Sequence, residues 1–135
     1  MSPIKLNIKT KLEKYPIIIG SNLIKDLAFY AKKNSINFNQ CLLVVDKNVP
    51  TKMISKIMKS LKKKKIMKFL FNSNEKNKNL KSVNKILQIL LNKNFSRFDC
   101  LITVGGGITG DVGGFAASLY KRGINFINIP TTLLS

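Results

Sequence analysis

The chain has 135 residues, 44% of them hydrophobic, which suits one domain with a buried core and excludes a disordered basic tail. Its 24 Lys and Arg against 6 Asp and Glu give a formal net charge of +18, a value that invites a nucleic-acid reading. Histidine is absent, which excludes a histidine-based triad or a mixed histidine/carboxylate zinc site built from this chain.

Residues 4–9 and 15–19 read as two strands joined by a polar turn. Ser21 is placed to cap a helix whose apolar positions Leu23, Ile24, Leu27, Ala28 and Ala31 recur at helical spacing. Residues 41–45 form a short, continuously apolar run, the pattern of a strand buried on both faces, and Asp46 follows directly. From Thr51, the positions Met53, Ile54, Ile57, Met58 and Leu61 make one apolar face with lysines opposite. Residues 66–71 are the next strand and 72–79 a polar loop. Leu80, Val83, Ile86, Leu87, Leu90 and Leu91 then form the clearest amphipathic helix. A second apolar strand at 100–104 leads into a glycine-rich turn, a small-residue helix to Tyr120 and a last strand at 126–129. After the opening hairpin, strands and helices alternate. The expected class is α/β, a Rossmann-like parallel sheet with right-handed crossovers and an N-terminal β-hairpin. Cys41 and Cys100 each open a buried strand and read as core thiols rather than a disulfide.

The charge does not favour specific nucleic-acid binding. Arg97 and Arg122 are the only arginines among the 24 basic residues, whereas base readers lean on the bidentate guanidinium fork. The lysines are spread along the chain with one dense run at 62–65. No apolar run approaches the ~18 residues of a membrane span, and the N-terminus lacks the apolar segment of a signal peptide. A cytoplasmic location is expected.

Every glycine but Gly20 falls between Gly105 and Gly123. Gly105, Gly106, Gly107, Ile108, Thr109, Gly110 and Asp111 sit between a strand and a helix. There glycines allow a sharp turn that offers bare amides to an anion, and the helix N-terminus adds about half a positive charge. The expected ligand is a phosphate or pyrophosphate. The string satisfies G-x-G-x-x-G, but nothing acidic follows Asp111 to hold a ribose, so Asp46 has to serve. The Walker pattern fails, because no Lys-Ser/Thr follows the glycines. Gly113 and Gly114, inside the next helix, each cost ~1 kcal/mol relative to alanine, so a packed strand or a cofactor must approach there.

The stretch from Gly105 to Ser135, GGGITGDVGGFAASLYKRGINFINIPTTLLS, resembles the centre of the 3-dehydroquinate synthase family, NAD-dependent enzymes of the shikimate pathway. A glycine turn with a trailing Asp also occurs in glycerol dehydrogenases and iron-type alcohol dehydrogenases. Tyr120-Lys121-Arg122-Gly123 followed by Pro130-Thr131-Thr132-Leu133-Leu134 resembles the cyclases instead. The likeness is strong from Gly105 onward and looser before it.

The resemblance implies a set of roles. Gly105, Gly106, Gly107, Ile108, Thr109 and Gly110 would hold the NAD pyrophosphate, with Asp111 toward the nicotinamide and Asp46 near the adenosine ribose. The loop at 72–78 is similar to the family's Pro-Asp-Gly-Glu-x-x-Lys; Glu75 and Lys78 are kept, while Asn72, Ser73 and Asn74 depart from it. Ser73, Glu75 and Lys78 would complete the cofactor site, and Thr131 and Thr132 would touch NAD through hydroxyl and backbone groups. Arg122 would bind the substrate phosphate, in this family across a dimer contact. Plainer readings stand beside these: an exposed Glu75–Lys78 ion pair, Asp46 as a strand-end turn residue, Asp111 as a carboxylate in a helix's first turn, and the threonines as turn hydroxyls.

The activity implied is NAD-dependent conversion of a heptulosonate 7-phosphate to 3-dehydroquinate with phosphate release. In the family the pattern continues past the position of Ser135 into a helical domain holding zinc or cobalt through one Glu and two His. Residues 1–135 are therefore expected to be the NAD-binding domain, incomplete, without that metal domain, with no catalytic residue or metal ligand of its own, and inactive alone. The expected partners are a phosphorylated sugar acid and a second copy of the chain, with no membrane and no specific nucleic acid. The alternatives are an NAD-binding half of a glycerol or iron-type alcohol dehydrogenase relative, and a basic nucleotide-binding remnant without catalysis.

Overall fold

The two unbroken apolar runs become the central strands of a parallel sheet. The computed structural model describes residues 3–11 and 14–131; Thr132, Leu133 and Leu134 lie outside them. β1 (Ile4–Lys9) and β2 (Lys14–Ile19) pair antiparallel as a separate hairpin. β3 (Gln40–Asp46), β4 (Lys65–Phe71), β5 (Cys100–Gly105) and β6 (Asn125–Pro130) form a four-stranded parallel sheet in the order β4-β3-β5-β6. The connecting helices are α1 (Leu27–Lys33), α2 (Thr51–Ser60), α3 (Leu80–Asn92) and α4 (Gly107–Leu119).

β3 and β5 carry no polar alternation because helices cover both of their faces. Leu42, Val44 and Leu101 pack with Val83, Ile86 and Leu90 of α3 and with Val112, Ala116 and Ala117 of α4. The alternate residues Cys41, Leu43, Val45, Ile102 and Val104 pack with Ala31 of α1 and with Ile54 and Ile57 of α2. Ile57, Ile86 and Leu90 are fully buried, and each such side chain contributes about 1.5–3 kcal/mol by leaving water. The chain moves one way across the sheet through α2 on one face, then the other way through α3 and α4 on the opposite face. That pairing of direction with face keeps every crossover of one hand.

The cap expected at Ser21 does not form. Asn22 takes a left-handed conformation (φ 56) into a short 3-10 turn, Leu23–Asp26, and α1 begins beyond reach of the Ser21 hydroxyl. The first amide of α1, on Leu27, instead donates to Ser60 Oγ at 3.0 Å, so α2 satisfies the end of α1.

Cys41 and Cys100 are free, buried and opposite one another in the β3–β5 register. Burial pushes the Cys41 thiol up to about 12, against a smaller pull from Lys64, and raises Cys100 well above the ordinary thiol range. Asp99 ties two segments at the start of this layer. Its Oδ2 accepts from Ser96 N–H at 2.9 Å and Gln40 Nε2 at 3.1 Å, and its Oδ1 accepts from Gln40 N–H at 3.4 Å. Burial alone would raise its carboxyl, but the bonds from Ser96 and Gln40 together outweigh that and hold it below the usual carboxylate value.

Candidate functional site

The connection from β3 runs toward β4 and the one from β5 toward β6. Between the C-terminal ends of β3 and β5 the crossovers diverge, and this switch point leaves a crevice, the usual ligand position in open α/β sheets. Asp46 ends β3 and Gly105 ends β5. They lie side by side: a Cβ added to Gly105 would stand 2.9 Å from Asp46 Cβ and 2.8 Å from Thr109 Oγ1. Only a bare backbone fits there. Asp46 also serves its local turn, accepting from Asn48 N–H at 3.1 Å, so the turn-residue reading and proximity to the glycine turn both hold.

α4 starts at this point without a side-chain cap, with Gly106 preceding it. α3 differs: Asn79 Oδ1 accepts from Ser82 N–H at 2.9 Å there. The first amides of α4 are left to a ligand or water, and the helix dipole adds partial positive charge. A Cβ on Gly107 would meet nothing within 4 Å, so the turn opens onto free space. Thr109 is fully buried, and its hydroxyl is without a hydrogen-bond partner. Uncapped amides, an unfilled cradle and an orphaned hydroxyl fit a diphosphate. Ile108 is half-buried and packs against the α3–α4 core.

The helix glycines answer to the sheet. A Cβ on Gly113 would fall inside 3.0 Å of the Thr103 methyl, so a strand makes the close approach there. A Cβ on Gly114 would meet the Phe126 ring at ordinary contact, 3.4 Å. Gly110 lies over Asn128, whose Oδ1 would be 3.1 Å from an added Cβ and accepts from Thr103 Oγ1 at 2.8 Å. Asn128 is a floor residue that the pattern reading passed over; an Asn inside an apolar strand was the available signal.

The 72–79 loop keeps its shape by asparagine bonding. Asn74 Oδ1 accepts from Asn77 N–H at 3.0 Å, and Asn77 Nδ2 donates to the Asn72 carbonyl at 2.8 Å. Asn74 is extended (φ −148), so this position does not require the family's glycine. Ser73 is half-buried and Glu75 exposed. The local Glu75–Lys78 pair does not form. Lys78 Nζ instead reaches Asp111 Oδ2 at 3.1 Å, linking the loop to α4. Asp111 stands in the second turn of α4, since the helix begins at Gly107 and has no acidic residue in its first turn. The Thr131 amide is not free for a ligand, because it donates to the Gly105 carbonyl at 2.9 Å and braces the turn. Thr132 lies outside the described residues.

Arg122 is not brought to this group. It follows the far end of α4, whose 13 residues span about 20 Å. Its side chain does not span that distance. Among the described residues no three His, Cys, Asp or Glu side chains come together to hold a metal ion, so these residues do not fit a zinc or cobalt site. No helix among them is long and apolar enough to cross a membrane.

Residues 68–135, just over half of the chain, match the family model described as 3-dehydroquinate synthase N-terminal. The chain belongs to this family. It is 58% identical over 135 residues to the 3-dehydroquinate synthase of Pelagibacter ubique (strain HTCC1062), covering all of this chain and 37% of that protein. It is 39% identical to the 3-dehydroquinate synthase of Vesicomyosocius okutanii subsp. Calyptogena okutanii, over 96% of this chain and 36% of that one. The chain therefore spans little more than a third of the family members it matches. Among solved structures, 2-deoxy-scyllo-inosose synthase superposes with a TM-score of 0.85 at 25% identity, over 96% of this chain and 36% of that one. A second structure of that enzyme, complexed with carbaglucose-6-phosphate, NAD+ and Co2+, gives 0.84 over 96% and 35% at the same identity.

Proposed function

We propose that the chain is the NAD-binding portion of a 3-dehydroquinate synthase, the shikimate-pathway enzyme that converts a heptulosonate 7-phosphate to 3-dehydroquinate and releases phosphate. The observation that carries this reading is the uncapped glycine turn beside Asp46 at the switch point, with the Thr109 hydroxyl buried and unpartnered beneath it. The amides of Gly107, Ile108 and Thr109 would receive the pyrophosphate, and the Asp46 carboxylate would accept from a ribose hydroxyl. Lys78 and Asp111, already paired across the loop, would border the nicotinamide end. NAD supplies, when bound, a reversible acceptor for the hydride of a substrate carbinol. Within this chain the residues bind and orient: Asn128 and Thr103 fix the floor under Gly110, and Thr131 braces Gly105. Arg122, at the opposite pole, would take a substrate phosphate in the site of a second copy, with its planar fork matching the phosphate oxygens. The described residues provide no metal-holding cluster, so the chain alone is expected to bind cofactor and not to turn over.

NAD+ should protect the purified chain against heat, with a Tm that climbs as ligand exceeds its Kd. Random duplex DNA at matched ionic strength should not. Protection by DNA and none by millimolar NAD+ would replace this reading with the basic-module alternative.

A further inference from the structure

At the far end of α4 the chain turns through three successive left-handed residues, Lys121 (φ 45), Arg122 (φ 64) and Gly123 (φ 117). Glycine takes this conformation freely. Lysine and arginine do not, because Cβ crowds the following carbonyl, and two in a row persist only where the surroundings over-determine them. Those surroundings are identifiable. Tyr120 is buried, and its hydroxyl lies 2.6 Å from the Phe95 carbonyl and 3.1 Å from the Leu90 carbonyl. Lys121 Nζ folds back to 5.6 Å from the Tyr120 ring centroid. On the exit side, Gly123 N–H donates to the Tyr120 carbonyl at 2.7 Å and Ile124 N–H to the Ala117 carbonyl at 3.0 Å, with Ile124 buried. Both ends of the turn are fastened, while the Arg122 side chain between them is exposed and makes no hydrogen bond or ion pair among the described residues.

A turn that only reversed the chain would relax by placing glycine or asparagine at these positions. We propose that the 120–123 turn is a strained mount, anchored by the Tyr120 hydroxyl, that holds the Arg122 guanidinium outward in one geometry for the phosphate monoester of a phosphorylated sugar acid. Tyr120 and Lys121 are then positioning residues that act through Arg122. The proposal rests on the reading of Arg122 as the phosphate ligand.

The chain has only two arginines, Arg97 and Arg122, so the arginine Nε–Hε region of a 15N spectrum of the full chain holds two signals, assigned with Arg97→Lys. Glucose 6-phosphate serves as the probe. In the wild type, the Arg122 signal should shift saturably and the Arg97 signal should not. Tyr120→Phe keeps the ring in the core and removes only the anchoring hydroxyl. Lys121→Gly relaxes the backbone and should not lower Tm. Both should weaken probe binding at Arg122 by about three- to tenfold, and the Arg122 heteronuclear NOE should fall. A purely structural turn makes Lys121→Gly silent in affinity. Unchanged affinity in both variants, with a responsive wild-type signal, overturns the mount. An Arg122 signal that ignores the probe in the wild type, or shifts no more than Arg97, overturns the phosphate role itself and the mount with it.

Discussion

Replacing Gly113 by alanine sets two magnitudes against each other. Helix propensity alone favours Gly113→Ala by about 1 kcal/mol. The packing opposes it: the new Cβ falls inside 3.0 Å of Thr103 Cγ2, with Leu101 Cδ2 at 3.4 Å. Thr103 cannot swing aside cheaply, because it is fully buried and its hydroxyl donates to Asn128 at 2.8 Å. α4 must therefore lift from β5 by well over ~1 Å to restore carbon–carbon contact at ~3.5–4.0 Å. Over-packing costs about 1–3 kcal/mol, and an overlap this deep belongs to the upper part of that range, about 2–3 kcal/mol. Set against the propensity gain, the expected net is a loss of about 1–2 kcal/mol, or about 3–8 °C in Tm for a domain of this size. Thr103→Ser deletes the clashing methyl and keeps the hydroxyl bond. The double variant should recover most of the loss, giving a coupling of about 1–2 kcal/mol between contacting sites. Thermal melts of the four proteins complete the cycle. A Gly113→Ala chain as stable as the wild type, or additive effects in the double variant, would refute the close-packing argument.

Other expectations follow from the same geometry. Thr109→Val removes a buried hydroxyl without a partner, so the ligand-free chain should gain about 1 kcal/mol while its NAD+-dependent Tm increase shrinks; a destabilised ligand-free variant contradicts this. Asp99 titrates below its ordinary range when folded, so it contributes stability above its unfolded pKa of about 3.9, and that stability is lost as pH falls through the lower folded value. Urea midpoints should drop in that window below about pH 4, and Asp99→Asn should flatten the drop while lowering the midpoint at pH 7. Cys41 and Cys100 should resist a thiol reagent at pH 8 in the native chain and react once it is unfolded in urea, because burial holds Cys41 up to about 12 and Cys100 well above the ordinary thiol range. Lys78→Ala should change stability by no more than about 1 kcal/mol, since the pair with Asp111 is solvent-exposed, yet weaken NAD+ binding measurably by calorimetry.

What the sequence made legible follows from which forces are local. The runs at 41–45 and 100–104 announced strands covered on both faces, and the α3 periodicity announced a helix, because burial writes itself into neighbouring residues. The glycine turn was equally readable, since a position that excludes Cβ leaves a compositional mark. Pairings between distant segments left no such mark. Lys78 meets Asp111 rather than Glu75 only because the loop after β4 folds across the start of α4. Thr109 was readable as part of the glycine turn, but the loss of every partner for its hydroxyl was not, because that depends on burial by the rest of the fold. Ser21 carried a sound local cap signal that failed because the left-handed Asn22 sends the chain into a 3-10 turn first. The separation of Arg122 from the turn was in principle computable from the helix length, whereas the strain at Lys121 and Arg122 was not, because it depends on a tyrosine anchored to carbonyls at 90 and 95.

The central claim is that the open space before α4 is a dinucleotide cradle, and Gly107 tests it most directly. Nothing lies within 4 Å of a Cβ placed there, so Gly107→Leu should fold and melt like the wild type while filling the cradle. Calorimetric titration of NAD+ into both chains is the measurement. Saturable binding to the wild type, lost in Gly107→Leu with Tm retained, is the expected result. Equal binding by both, or none by the wild type at millimolar NAD+, would contradict the account.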